Sequence, residues 1–264
     1  MQINRRDFLS LASSGITALT ISGLTGACNS TTTHSTTKGI QAVAFDAFPI
    51  FDPRPIFGLV KKLYPSVGSQ FASLWRTKIF GYTWLRVSGA QYRDFWGCIE
   101  DALIYTARDL KVELTDTNKT RLMNAFLQIK AWPDVKNALQ QMKDRGIKLG
   151  FLSNMTEKML HAGIRNSGLE GYFDHVISTD RAKTFKPDKR AYQLGVDAFA
   201  LPKENIAFTA FAGWDAAGAK WFGYPTVWVN RLNFSAEELG GQPDRTGRDL
   251  SVLLNFLTEN KSVK

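Results

Sequence analysis

The chain has 264 residues, 44% hydrophobic and 22% charged, long and apolar enough for one compact unit plus an insertion. Net charge is +9 and the pI is near 9.5, but the positive charge is scattered and forms no Lys/Arg-rich run. Nucleic acid is therefore not expected as a partner, and the charge reads as solubility with some steering of small anions. Two cysteines, Cys28 and Cys98, rule out a disulfide framework.

Residues 1–38 read as lying outside the fold. Asn4-Arg5-Arg6-Asp7-Phe8-Leu9 precedes a mildly apolar stretch, 11–27, that Ser, Thr and Gly break too often for a good spanning helix. Paired Arg, Phe-Leu and a mild hydrophobic region resemble a twin-arginine export signal over residues 1–28. Leu24-Thr25-Gly26-Ala27-Cys28 is similar to a lipoprotein processing site, which implies a lipid on Cys28; ordinary signal cleavage nearby is the alternative. Residues 29–39 are a polar, low-complexity tether. The expectation is an exported, periplasmic protein that touches a membrane only through a Cys28 anchor.

Ile40 to Asp46 is predicted as a strand that ends at a proline-bearing loop with Pro49, Pro53 and Pro55. Residues 57–130 have apolar positions at three and four spacing and no strand signal, which predicts a helical cap inserted after the first strand. From Asp134 the pattern alternates. Helices are predicted over 135–145, 157–166, 189–198 and 215–222, strands over 147–152, 175–178, 205–210 and 226–229, and a closing helix over 248–259. Such alternation predicts an α/β fold, a doubly wound parallel (Rossmann-like) sheet, with the core in 40–56 and 131–264 and the cap in 57–130.

Four stations with chemistry fall at strand ends or helix starts: Asp46, Ser153-Asn154, Lys186-Pro187-Asp188 and Trp214-Asp215. A carboxylate, a hydroxyl, an ammonium and a second carboxylate placed in this way can converge at the carboxyl edge of a parallel sheet. An ionised Asp46 can attack carbon or phosphorus and form an ester; an Asp there can equally cap a turn. Asn154 and Thr156 read as caps of the following helix.

This order resembles the haloacid-dehalogenase-like superfamily and, within it, the 2-haloacid dehalogenases, over nearly all of residues 40–260. The resemblance implies that Asp46 is the nucleophile and that Lys186 holds it ionised and oriented. It implies that Ser153 and Asn154 bind the substrate carboxylate and that Tyr192 lies in the pocket. Trp75-Arg76 with Tyr82-Thr83-Trp84-Leu85-Arg86 is similar to the cap sequence from which an Arg reaches the site, implying that Arg76 holds the carboxylate or the departing halide. Phe80, Phe95 and Trp214 match apolar pocket positions, where plain core packing is the other reading. Asp215 would place or activate the hydrolytic water, or only cap its helix.

The chain departs from the family at several places. Phe48 stands where phosphatases of the superfamily carry a second Asp and dehalogenases a Tyr, which argues against phosphoryl transfer. Pro49 and Ile50 replace a Gly-Thr pair, and Ala210, Phe211 and Ala212 replace a Ser-rich stretch ending in Asn. Each lost polar group is worth about 2–4 kcal/mol of barrier. The leading expectation is hydrolysis of short 2-haloacids to 2-hydroxy acids, with no metal or cofactor and with a small anionic carboxylate as substrate. A non-catalytic carboxylate-binding module is the alternative, and a phosphatase is disfavoured by Phe48. The resemblance also implies a homodimer through the cap helices.

Overall fold

The computed structural model describes residues 39–260. The twin-arginine stretch, Cys28 and nearly all of the tether lie outside them. Six strands form one sheet: β1 (Ala42–Phe45), β2 (Lys148–Ser153), β3 (His175–Ser178), β4 (Ile206–Ala210), β5 (Thr226–Val229) and β6 (Arg245–Gly247). Every pairing is parallel, and the order is β3-β2-β1-β4-β5-β6. Phe45 is in register with Phe151 on one side and Thr209 on the other, so β1 sits at the centre.

All four β1 residues are fully buried, as a continuous apolar run covered on both faces should be. Side chains alternate between two cores. Val43 and Phe45 join Leu149, Phe151, Ala207 and Val227 on one face, while Ala42 and Ala44 join Leu152, Ile177 and Phe208 on the other.

Helices α1 (Ala47–Ile50), α2 (Arg54–Leu63), α3 (Gly68–Ser88), α4 (Phe95–Asp109) and α5 (Asp116–Ala125) fill the chain between β1 and β2 before α6 (Val135–Asp144). The later crossovers are α7 (Glu157–Asn166), α8 (Lys189–Phe199) and α9 (Gly213–Phe222), and α10 (Ser251–Glu259) closes the described chain. Local chemistry sets these boundaries. The Asp94 carboxylate accepts from Gly97 N at 2.8 Å to start α4, and the Thr156 hydroxyl accepts from Met159 N at 3.4 Å to start α7. Gly146, at φ +72°, ends α6 in a conformation that costs a glycine little. Within the insertion, the buried Trp75 of α3 donates its indole N–H to Ile99 O of α4 at 3.0 Å and packs edge-on against Phe57, Phe71 and Phe126.

Two sequence expectations change. The proline-bearing loop is mostly helical: Pro49 lies in the single turn of α1 and Pro55 in the first turn of α2, where the missing N–H has no intrahelical partner to lose. A sixth strand also precedes α10. Its Arg-Thr-Gly sequence is polar and half exposed at the sheet edge, so no apolar pattern announces it.

Candidate active site

The strand order reverses on either side of β1, which opens a crevice at the carboxyl ends of the strands. Asp46 follows β1 directly, and its backbone N–H donates to Thr209 O at 3.0 Å. Asp46 caps α1 and faces the crevice at once. Its Oδ2 accepts from Phe48 N at 3.3 Å, while its Oδ1 accepts from Lys186 Nζ at 2.9 Å and Ser153 Oγ at 3.3 Å.

Lys186 is fully buried, and its ammonium lies between two carboxylates, with Asp215 Oδ2 at 2.6 Å. Asp215 in turn accepts from the Tyr192 hydroxyl on Oδ1 at 2.8 Å. The charges set the titration of this chain. Burial works to lower the Lys186 pKa, but Asp215 and Asp46 outweigh it and hold the ammonium above the ordinary lysine value. Burial pushes the Asp215 carboxyl up to about 6, against the pull of Lys186 and Tyr192. Burial and the adjacent Asp215 carboxylate raise the Tyr192 phenol well above its usual range, so it stays a donor.

A cavity of about 640 Å³ rises from Asp46, with Ser153 and Asn154 in its wall. Asn154 Oδ1 accepts from Lys186 N at 3.0 Å and Thr179 Oγ1 at 3.3 Å, which fixes the carboxamide. Its Nδ2 is buried without a hydrogen-bond partner among the described residues, as is Thr209 Oγ1. Arg76 enters the cavity wall from α3. Among the described residues it forms no ion pair, and its guanidinium lies 5.6 Å from the Phe234 ring centre. Phe80, Phe95 and Trp214 line the same wall, with Phe80 and Trp214 rings 5.4 Å apart.

Two expected site residues do not line the cavity. Tyr192 and Asp215 are buried where α8 and α9 pack on the far face of the sheet, so Tyr192 supports Asp215 and Asp215 supports Lys186. Asp215 is not the cap of α9 either: Ala212 holds that position and makes no side-chain cap bond. The departures also separate. Ile50 and Ala210 are wholly buried in the two cores, whereas Phe48, Phe211 and Ala212 face the cavity, the two phenyl rings 5.6 Å apart.

Sequence reasoning missed the brace behind Asp46. Arg231 donates from Nε and Nη2 to Pro49 O at 3.0 and 2.7 Å and grips Asp134 with Nη1 and Nη2 at 2.9 and 3.0 Å. Trp132 adds an indole N–H to Phe48 O at 3.0 Å and is flanked by the guanidinium groups of Arg54 and Arg231. An Arg two residues past the end of a buried strand was the available signal. The donors do not fit the magnesium of the superfamily's phosphatases: Phe48 replaces the second carboxylate, and among the described residues no three His, Cys, Asp or Glu side chains gather.

The haloacid dehalogenase-like hydrolase family matches residues 21–223. Haloacetate dehalogenase H-2 of Moraxella sp. (strain B) is 39% identical over 221 residues, 83% of this chain and 99% of that protein. The (S)-2-haloacid dehalogenase of Pseudomonas sp. (strain YL) is 37% identical over 206 residues, 78% of this chain and 89% of that protein. L-2-haloacid dehalogenase of Xanthobacter autotrophicus, solved with chloropropionic acid covalently bound, aligns with a TM-score of 0.77 at 28% identity, over 83% of this chain and 98% of that one. The family match takes in the turns that carry Asp46, Ser153, Lys186 and Asp215, and the chain belongs to the haloacid dehalogenase-like hydrolases.

Proposed function

We propose that the protein is a hydrolytic dehalogenase of short (S)-2-haloacids that works through an ester on Asp46. The observation that carries this reading is the unequal holding of the Asp46 oxygens. Oδ1 accepts from Lys186 and Ser153, while Oδ2 accepts a single 3.3 Å bond from Phe48 N and is the freer nucleophile. Oδ2 attacks the carbon bearing the halogen from behind. The C–O bond forms as the carbon–halogen bond breaks, the bonding pair leaves with the halide, and the centre inverts.

The ester carbonyl oxygen is then Oδ1, already in contact with an ammonium and a hydroxyl. When water adds to the carbonyl carbon, the negative charge develops on that oxygen, where Lys186 and Ser153 stabilise it. Collapse breaks the bond between the carbonyl carbon and Oδ2, which leaves with one of the water protons as the hydroxyl of the 2-hydroxy acid; the other proton passes to solvent, and the water oxygen completes the restored Asp46 carboxylate. Arg76 and the unpartnered Asn154 Nδ2 supply a cation and a donor for the substrate carboxylate. Relatives named as haloacetate and (S)-2-haloacid dehalogenases support the same chemistry. The carbonyl-facing groups are intact while Phe211 and Ala212 offer the incoming water no side-chain partner, which favours a slow second step over a pure binding module.

Halide release from (S)-2-chloropropionate tests the reading. Asp46→Asn should lower it by at least about 10³-fold. A folded wild type that releases no more halide than this variant would refute it.

Export through the Arg5-Arg6 signal and a lipid on Cys28 are part of the same proposal, supported by the sequence alone. Cys28→Ser should free the protein from the membrane fraction. A dimer through the inserted helices is supported by the exposed Trp84, Leu85 and Tyr105, and sedimentation would test it.

A further inference from the structure

The inserted helices leave the core at Asp52 and rejoin it at Lys130. Phe51 and Ala131 form an antiparallel bridge there, and Asp52 N donates to Lys130 O at 2.8 Å. Beyond this hinge the join is mostly aromatic. Phe80 and Trp84 of α3 each meet Trp214 with ring centres 5.4 Å apart, and Phe95 of α4 meets Phe185 at 6.3 Å. The hydrophobic part of such contacts has no direction.

One bond supplies direction. The Tyr92 hydroxyl, between α3 and α4, donates to Asp180 Oδ1 at 2.7 Å. Among the described residues it is the only hydrogen bond or ion pair between residues 54–126 and residues 132–260. The Tyr92 ring stacks on Phe185 with centres 5.2 Å apart, and Lys183 Nζ lies 2.9 Å from Asp180 Oδ1. Burial and the bond to Asp180 raise the Tyr92 phenol well above its usual range, so it remains a donor. Burial works to raise the Asp180 carboxyl, but the bonds from Lys183 and Tyr92 outweigh it and hold the group below the ordinary carboxylate value.

The core half of this contact is a fixed mount. Ser178 Oγ accepts from Asp180 N at 3.1 Å, and Thr179 Oγ1 and Lys186 N, on either side of Asp180, both donate to Asn154 Oδ1. The other half belongs to the insertion, which brings Arg76, Phe80 and Phe95 to the cavity wall. Among the described residues no carboxylate pairs with Arg76, so its place depends on how α3 is seated.

We propose that Tyr92 is a positioning residue for substrate capture: its bond to Asp180 seats the inserted helices so that Arg76 stays in the cavity above Asp46 to receive the substrate carboxylate. The proposal rests on the dehalogenase reading and adds a residue to it. Loss of a hydrogen bond to an ionised acceptor shifts an equilibrium by about tenfold or more, and the partial exposure of Asp180 places the effect at the low end. Capture weakens as the seated fraction falls, whereas Asp46, Ser153 and Lys186 keep their contacts within the core. KM should therefore rise while kcat holds.

The test measures kcat and KM for (S)-2-chloropropionate in wild type, Tyr92→Phe, Asp180→Ala, their double variant and Tyr64→Phe. Phe at 92 keeps a ring to stack on Phe185. Tyr64→Phe removes a hydrogen bond of the same kind, to Glu113 O at 3.0 Å, wholly within the insertion, and so controls for lost stability. KM should rise at least about threefold in Tyr92→Phe and in Asp180→Ala, with kcat within about twofold of wild type, and should rise no further in the double variant. A rise below about threefold in Tyr92→Phe, a fall in kcat instead, an equal rise in Tyr64→Phe, or effects that multiply in the double variant would overturn the role of Tyr92 while the dehalogenase reading stands. If the wild type releases no halide, that reading fails instead, and calorimetry with propanoate decides the role of Tyr92. A dissociation constant at least about threefold weaker in Tyr92→Phe than in wild type and Tyr64→Phe supports it, and equal constants, or no binding, overturn it.

Discussion

Tyr192→Phe removes one oxygen from the centre of the protein and should move the pH dependence of the reaction. In the wild type the Tyr192 hydroxyl donates to Asp215 at 2.8 Å with both groups buried, and the bond favours the ionised carboxylate. A hydrogen bond to a charged group is worth about 1.5–3 kcal/mol, or about 1–2 pH units at 1.36 kcal/mol each. The Asp215 pKa, already at about 6, should therefore rise to about 7–8 in the variant. Asp215 must be ionised to hold Lys186 in place, so the acid limb of kcat/KM should shift upward by the same amount. At about pH 9 the two proteins should differ little, since Asp215 is ionised in both. Stability follows with its own sign. A carboxyl whose folded pKa exceeds its unfolded value favours folding below the unfolded pKa, near 3.8, and that contribution is lost as pH rises through about 6. The variant should thus lose about 1.5–3 kcal/mol at pH 8 and only about 1 kcal/mol near pH 4. The assays are halide release from about pH 5 to 9 and urea unfolding at the two pH extremes. An acid limb that stays in place, or moves to lower pH, would refute the assignment of that limb to Asp215.

Three further outcomes follow from contacts around the same carboxylates. Lys186→Met leaves Asp46 and Asp215 facing each other without their shared cation and should cost about 3–5 kcal/mol at pH 8, less near pH 5 where one carboxyl takes up a proton; urea unfolding at both values checks it. Ala212→Asn restores a carboxamide to the cavity wall and should speed ester hydrolysis by about 10²-fold, seen by mass spectrometry as a smaller steady-state fraction of Asp46 adduct; an unchanged fraction would place the slow step elsewhere. Arg231→Met breaks the brace to Pro49 and Asp134 and should lower stability by about 2–4 kcal/mol and kcat about tenfold; a variant with normal kcat would show that Asp46 is placed without it.

The parts of the fold legible in the sequence were those with local causes. α7 and β3 fall where Thr156, Gly168 and the His175–Ser178 run place them, because cap, stop and apolar strand are all near in the chain. β6 was not legible, since a polar edge strand is fixed by its partner β5 and not by its own residues. In the site, Asp46, Ser153 and Lys186 could be found because each sits at a strand end or in a distinctive turn. The burial of Tyr192 behind Asp215 depends on how α8 packs against α9, and the Arg231 contact with Pro49 spans 182 positions; neither leaves a local pattern.

The lysine held between two carboxylates also keeps a ledger of charge through the cycle. At rest Asp46 and Asp215 outnumber Lys186, so the floor of the cavity is negative by one unit above about pH 6. An anionic substrate meets repulsion there, and the exposed Arg76 offers the compensating charge. Ester formation cancels the Asp46 charge and leaves Lys186 and Asp215 as a neutral couple, so the covalent state escapes that repulsion. Hydrolysis brings the Asp46 charge back beside a freshly formed hydroxy-acid carboxylate. Like charges then face each other across a space that the ester bond had bridged, and product departure is favoured by the very group that captured the substrate.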